Sequence, residues 1–125
     1  MGAVGGQLVI KSGQSVSSSA YGKMAHALAL AIRLPAGFQG VVGVRTSLDG
    51  QGAGEPFFYL DSDGTWKKVQ IDPGQNALPA WFLVPVDVYP GHYVHLATFI
   101  DDTEAAPQVQ GADRVIQIMG VAPNY

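Results

Sequence analysis

Cysteine is absent from the 125-residue chain, so disulfides, thiolate metal sites and a thiol nucleophile are excluded. Charge is scarce. Only 14% of residues are Asp, Glu, Lys or Arg, against about 25% in a typical globular domain. Seven Lys and Arg stand against ten Asp and Glu, a net charge of −3, and no basic stretch is present to neutralise a row of phosphates. Nucleic acid is therefore not an expected partner. No apolar run reaches the 18 or so residues of a membrane helix, so no membrane partner is expected either. Met1 to Gly6 lacks the basic start of a signal peptide. The expectation is synthesis in a cytoplasm without a targeting step.

What is present is apolar and heavily punctuated. Hydrophobic residues make up 47% of the chain, and 16 Gly and 8 Pro fall between short apolar runs instead of gathering in one linker. The runs are Gln7 to Lys11, Met24 to Leu34, Val41 to Ser47, Pro56 to Leu60, Thr65 to Ile71, Trp81 to Val86, His92 to Phe99 and Arg114 to Val121. About eight short strands with no amphipathic helix predict an all-β fold, an antiparallel β-sandwich or jelly roll. One domain over 7–125 is expected, preceded by a flexible arm over 1–6. Nine aromatics spread among the strands (Phe38, Phe57, Phe58, Tyr59, Trp66, Trp81, Phe82, Tyr93 and Phe99) are expected to supply a two-sheet core.

The run from Met24 to Leu34 sets propensity against periodicity. Its Ala and Leu favour helix, but large side chains occupy every even position, Met24, His26, Leu28, Leu30, Ile32 and Leu34. A period of two predicts a strand. Ala on the odd positions, where a solvent face would carry Thr, Lys or Glu, predicts that this strand is covered on both sides. Asp61-Ser62-Asp63-Gly64 between two apolar runs predicts a hairpin.

Candidate chemistry is sparse. His92 and His95, three apart, point to opposite faces of a strand and are poorly placed to share a metal. Asp61 to Asp72 opens like a calcium loop, but Trp66 stands where that loop needs Gly and Asp72 where it needs Glu. Gly50, Gly52 and Gly54 suggest a phosphate loop, yet no helix and no Lys-Ser or Lys-Thr pair follows. Ser15, Ser17, Ser18 and Ser19 have no nucleophile-elbow glycines around them. Asp101, Asp102 and Glu104 could form a paired-carboxylate acid and base, although three acids in one loop are ordinarily solvated. The residues thus point to no enzyme and no cofactor. Low charge suits a surface partly buried against other chains, because interface centres are depleted in Lys, Glu and Asp.

Several segments together resemble a family. They are Ser12-Gly-Gln-Ser-Val-Ser17, Leu34-Pro-Ala-Gly-Phe38, Arg45-Thr-Ser-Leu-Asp-Gly50, Leu60-Asp-Ser-Asp-Gly-Thr65 and, most distinctively, Ala105-Ala-Pro-Gln-Val-Gln-Gly-Ala-Asp-Arg114. In these the chain resembles the small β-sandwich virion proteins of tailed bacteriophages, capsid decoration (cement) proteins among them; Gln51 to Glu55 stands as an insertion. The resemblance implies a non-enzymatic protein, made in the host bacterial cytoplasm, that binds the major capsid protein on the capsid surface of the virion. It also implies a homotrimer that reinforces the shell. Asp101, Asp102, Glu104, Gln108, Gln110 and Arg114 are the expected partner-binding residues. The alternative is a carbohydrate-binding or neck- or tail-associated β-sandwich module, with Trp66, Trp81 or Tyr89 as a stacking platform.

Overall fold

The computed structural model describes residues 3–22, 29–56, 58–74, 76–85 and 93–121. These form an all-β, sandwich-like fold of antiparallel sheets, with no helix among the described residues. The first sheet contains β1 (Ala3–Ile10), β10 (Arg114–Val121), β2 (Ala29–Leu34) and β8 (Ala80–Pro85), in that spatial order. The second is built on β3 (Val41–Ser47), which pairs along its whole length with β9 (Tyr93–Phe99). A strand has two edges, so β4 (Glu55–Pro56) and β7 (Gln70–Ile71) share the other one, opposite Arg45–Thr46 and Val42–Gly43 respectively. Between them the chain leaves the sheet as a hairpin of β5 (Phe58–Leu60) and β6 (Trp66–Lys68), which pair only with each other.

Period-two alternation fixes the core. Leu30, Ile32 and Leu34 are buried while Ala29, Ala31 and Arg33 are half-buried. Register carries that face across the first sheet to Ile116 and Ile118 on β10, Leu8 and Ile10 on β1 and Val84 on β8. It packs on Val42, Val44, Ile71, Val94 and Leu96 of the second sheet, with Tyr21 and Phe38 in the same cluster. Tyr21 joins the two layers. Its backbone exchanges hydrogen bonds with Val94 of β9, and its hydroxyl accepts from the Gly120 amide of β10 at 3.0 Å. Gly6 leaves room for this ring: a Cβ there would lie 3.0 Å from it and require the ring to shift.

Four expectations change. Ala3 to Gly6 does not form an arm: these residues belong to β1 and pair with Ile118 to Val121, so β10 fixes a segment whose glycines hid its strand character. The runs Pro56 to Leu60 and Thr65 to Ile71 each divide where the hairpin departs, so eight runs become ten strands among the described residues. Of the eight described aromatics expected in the core, four are outside it. Phe38 and Phe99 are buried and Phe82 is partly buried against the core, but Phe58, Tyr59, Trp66 and Trp81 are exposed. The alanine face of β2 is not covered within the chain, since Ala29 and Ala31 are half-buried. Met24 to Leu28 of that run, with His26, lie outside the described residues, as do Phe57, Tyr89 and His92.

Candidate interaction surface

The acidic loop expected to meet a partner is largely latched to its own sheet. Glu104 is held at a φ of 58°, a left-handed backbone uncommon for a residue with a side chain. Its carboxylate, 3% exposed, accepts from the Arg45 guanidinium at 3.1 Å and from Gln70 Nε2 at 2.6 Å. The same Gln70 amide donates to the Asp102 carbonyl at 2.8 Å, and the Arg45 guanidinium lies 5.1 Å above the Phe99 ring. Strands β3, β7 and β9 therefore all fasten this loop. Asp101 accepts from the Thr103 amide and hydroxyl, which hold its carboxyl below the usual range. Only the Asp101 and Asp102 side chains of the three acids face solvent.

Gln110 is likewise committed to the fold. Its side chain is buried, accepting from the Gln39 amide at 3.1 Å and Arg114 Nε at 3.3 Å while donating to the Gln39 carbonyl at 2.8 Å. It clamps the Gln39 turn to the start of β10. Gln108 is half-buried, with its backbone amide on the Thr98 carbonyl and its side-chain amide on the Val109 carbonyl. Of the six expected partner-binding residues, Glu104 and Gln110 thus serve structure, Arg114 and Gln108 are half-buried, and Asp101 and Asp102 are open.

His95 is buried on β9, with Nε2 2.6 Å from Ser47 Oγ, which also accepts the Gly50 amide at 3.0 Å. Burial pushes the imidazole pKa down, and the charge of Asp49 opposes this. A serine on an imidazole is the first contact of a nucleophile–base pair, but such a pair needs a third group to orient the ring. His95 Nδ1 has no hydrogen-bond partner among the described residues. The pair anchors the 48–54 loop: Gly54, at a φ of 71°, passes so close that a Cβ would lie 2.8 Å from the His95 ring.

The exposed surface is distinctive in two places. On the outer face of the first sheet, register sets Val9 beside Val115, then Gln7, Gln117, Arg33 and Trp81 in one row, and Met119, Ala31 and Leu83 in the next. Leu83 is 67% exposed and Trp81 50%. Arg33 is the single charge in these rows. A continuously apolar strand such as Ala80 to Pro85 is the mark of burial on both faces, yet only the Phe82 and Val84 face is covered here. The second place is the hairpin. Register puts Phe58, Leu60, Trp66 and Lys68 on one face, with Trp66 65% exposed, and Tyr59 with Lys67 on the other. Lys67 bridges Asp61 at 2.6 Å and Asp63 at 3.4 Å, and this pairing lowers the pKa of Asp61 and raises that of Lys67.

Residue-by-residue scanning for chemistry missed Leu83, Val115, Met119, Phe58 and Leu60. The signal that could have found them was the apolar run 80–85 and the alanine-lined face of β2, both of which require cover. Comparison with protein-family models, with curated proteins and with solved structures finds no match to this chain.

Proposed function

We propose that the chain is a structural module that decorates a protein shell, a capsid decoration (cement) protein acting as a homotrimer on the capsid surface. The observation that carries this reading is the charge-poor outer face of the β1-β10-β2-β8 sheet, which exposes Trp81, Leu83 and Val115 and has Arg33 as its single charge in the described rows. Large apolar side chains exposed on a face with so little charge fit a surface that meets a partner. The segments that resemble small virion proteins favour the major capsid protein as that partner. A shell repeats one binding site many times, so an oligomer gripping several subunits converts weak contacts into firm attachment. Light scattering of the purified protein, followed by mixing with shells stripped of it, tests the reading. Saturable rebinding by a species about three times the chain mass is expected, and a protein that ignores shells overturns it.

A carbohydrate-binding module is the second reading, favoured by the exposure of Trp66 and Trp81. Affinity for a glycan that disappears in Trp66→Ala or Trp81→Ala, with the fold intact, would establish it in place of the first.

A further inference from the structure

The 48–54 loop lies across the outer face of the second sheet. Register sets Ser47 opposite Tyr93 and Arg45 opposite His95, so these four share that face, while Val44 and Leu96 between them point to the core. Leu48, Asp49, Gln51, Gly52 and Ala53 are exposed, yet His95 is 1% exposed with Gly54 packed against its Cγ–Cδ2 bond. The loop therefore stands between this ring and water. Its hold on the sheet is slight: Gly50 rests against the Tyr93 ring, and the Gly50 amide makes the one hydrogen bond from the loop's amides to the sheet among the described residues, to Ser47 Oγ. Gly50 and Gly54, at φ of 77° and 71°, bend it at both ends.

A neutral ring fits beneath this loop and a charged one does not. Neutral imidazole carries one N–H and one bare nitrogen, and Nε2 is engaged with Ser47 Oγ while Nδ1 is buried without a partner among the described residues. Protonation puts a hydrogen on both nitrogens, so Nδ1 becomes a buried cationic donor with no acceptor. The groups around it do not offset this. On β3 stands Arg45, itself a cation, whose partner Glu104 also accepts from Gln70. The loop brings one anion, Asp49, whose Oδ1 accepts from the Gln51 amide; Glu55 beyond it sits opposite Thr46, on the other face. Tyr93 is the titratable neighbour on β9, and the 15–21 segment along the far edge of β9 adds only Tyr21, whose hydroxyl accepts from Gly120. Burial accordingly outweighs the charge of Asp49 and holds the imidazole pKa down.

We propose that the 48–54 loop is a proton-operated strap, closed over neutral His95 and released when the ring takes up a proton and Nδ1 reaches water. The closed form resists the proton and the open form accepts it near the ordinary histidine value of about 6.5, so proton binding and opening favour each other. Opening is suppressed above that pH and grows as pH falls below it. Release turns a covered, neutral end of the β3–β9 face into an open one that carries an added positive charge. The strap operates in the single chain, whatever that chain attaches to.

Amide hydrogen exchange of the full chain between pH 8 and 5, read by NMR beside the titration of the His95 ring, tests this. In wild type the protection factor of the Gly50 amide is expected to fall about tenfold per pH unit below about 6.5, down to the closed-state pKa, while Leu30 and Ile118 in the core keep theirs. In His95→Gln it is expected not to change with pH. Gly54→Ala supplies the reciprocal measurement: its Cβ would lie 2.8 Å from the His95 ring and 3.1 Å from the Thr46 carbonyl oxygen, which props the strap open at neutral pH. The His95 pKa is then expected to rise towards 6.5. Core protection at Leu30 and Ile118 checks that each variant is folded. A Gly50 amide that is unprotected at pH 8, constant across the window, equally pH-dependent in His95→Gln or lost in step with the core overturns the proposal, as does an unchanged His95 pKa in folded Gly54→Ala.

Discussion

His95 and Glu104 are where single side chains have the most to lose. The His95 pKa is lowered in the folded chain, so below the ordinary histidine value of about 6.5 the unfolded state takes up a proton that the folded state resists. Stability from His95 is therefore fully present above that pH and falls as pH drops towards the folded-state pKa, by at most about 1.4 kcal/mol per pH unit. Urea unfolding of wild type and His95→Gln across that window should show a slope in the first that is reduced in the second. Glu104→Ala removes the acceptor for Arg45 and Gln70 and should cost about 1.5–3 kcal/mol, the range for hydrogen bonds to charged groups. Combining it with Arg45→Met should cost less than the sum, because no unpaired guanidinium is left over the Phe99 ring.

At the scale of strands, β2 and β8 separate burial from exposure within one register. Leu30 is fully buried, so Leu30→Ala should lower unfolding stability by about 2–5 kcal/mol in denaturant titration. Leu83, two-thirds exposed on the neighbouring strand, should change it by no more than about 0.5 kcal/mol when made Ala in the dissociated chain. Among the described residues the β5–β6 hairpin pairs with no other strand, and isolated two-stranded hairpins are marginal in water. Its amides are expected to exchange fastest among the strands and to slow when its apolar face is covered, a difference that hydrogen exchange reads directly.

The same elements explain what could be read beforehand. Alternation placed Leu30, Ile32 and Leu34 inward, the runs 41–47 and 114–121 match β3 and β10, and the Asp61 to Gly64 turn is a hairpin turn. Gly5-Gly6 concealed the start of β1, because glycine carries no side chain to reveal periodicity. The aromatics misled for a different reason: hydrophobicity says that a side chain seeks cover, not whether its own chain provides it. Gln110 and Glu104 looked available because their partners, Gln39 and Arg45, are 71 and 59 residues away.

For the whole molecule, the proposed shell attachment through the charge-poor outer face of the first sheet predicts a response to solvent. Sodium chloride screens ion pairs and leaves apolar burial largely intact, so shell rebinding should change little between low and high salt. Sulfate, which strengthens burial, should tighten it. Binding that collapses with sodium chloride would point to ion pairs as the main contact.

The departure of the chain at Pro56 and its return at Gln70 reduce one side of the second sheet to two fragments of two residues each. A long bare edge is a template on which strands of other molecules stack without limit. Here that side offers no template of useful length. Addition of a strand from another molecule is thereby directed to the outer strands of the first sheet, β1 and β8.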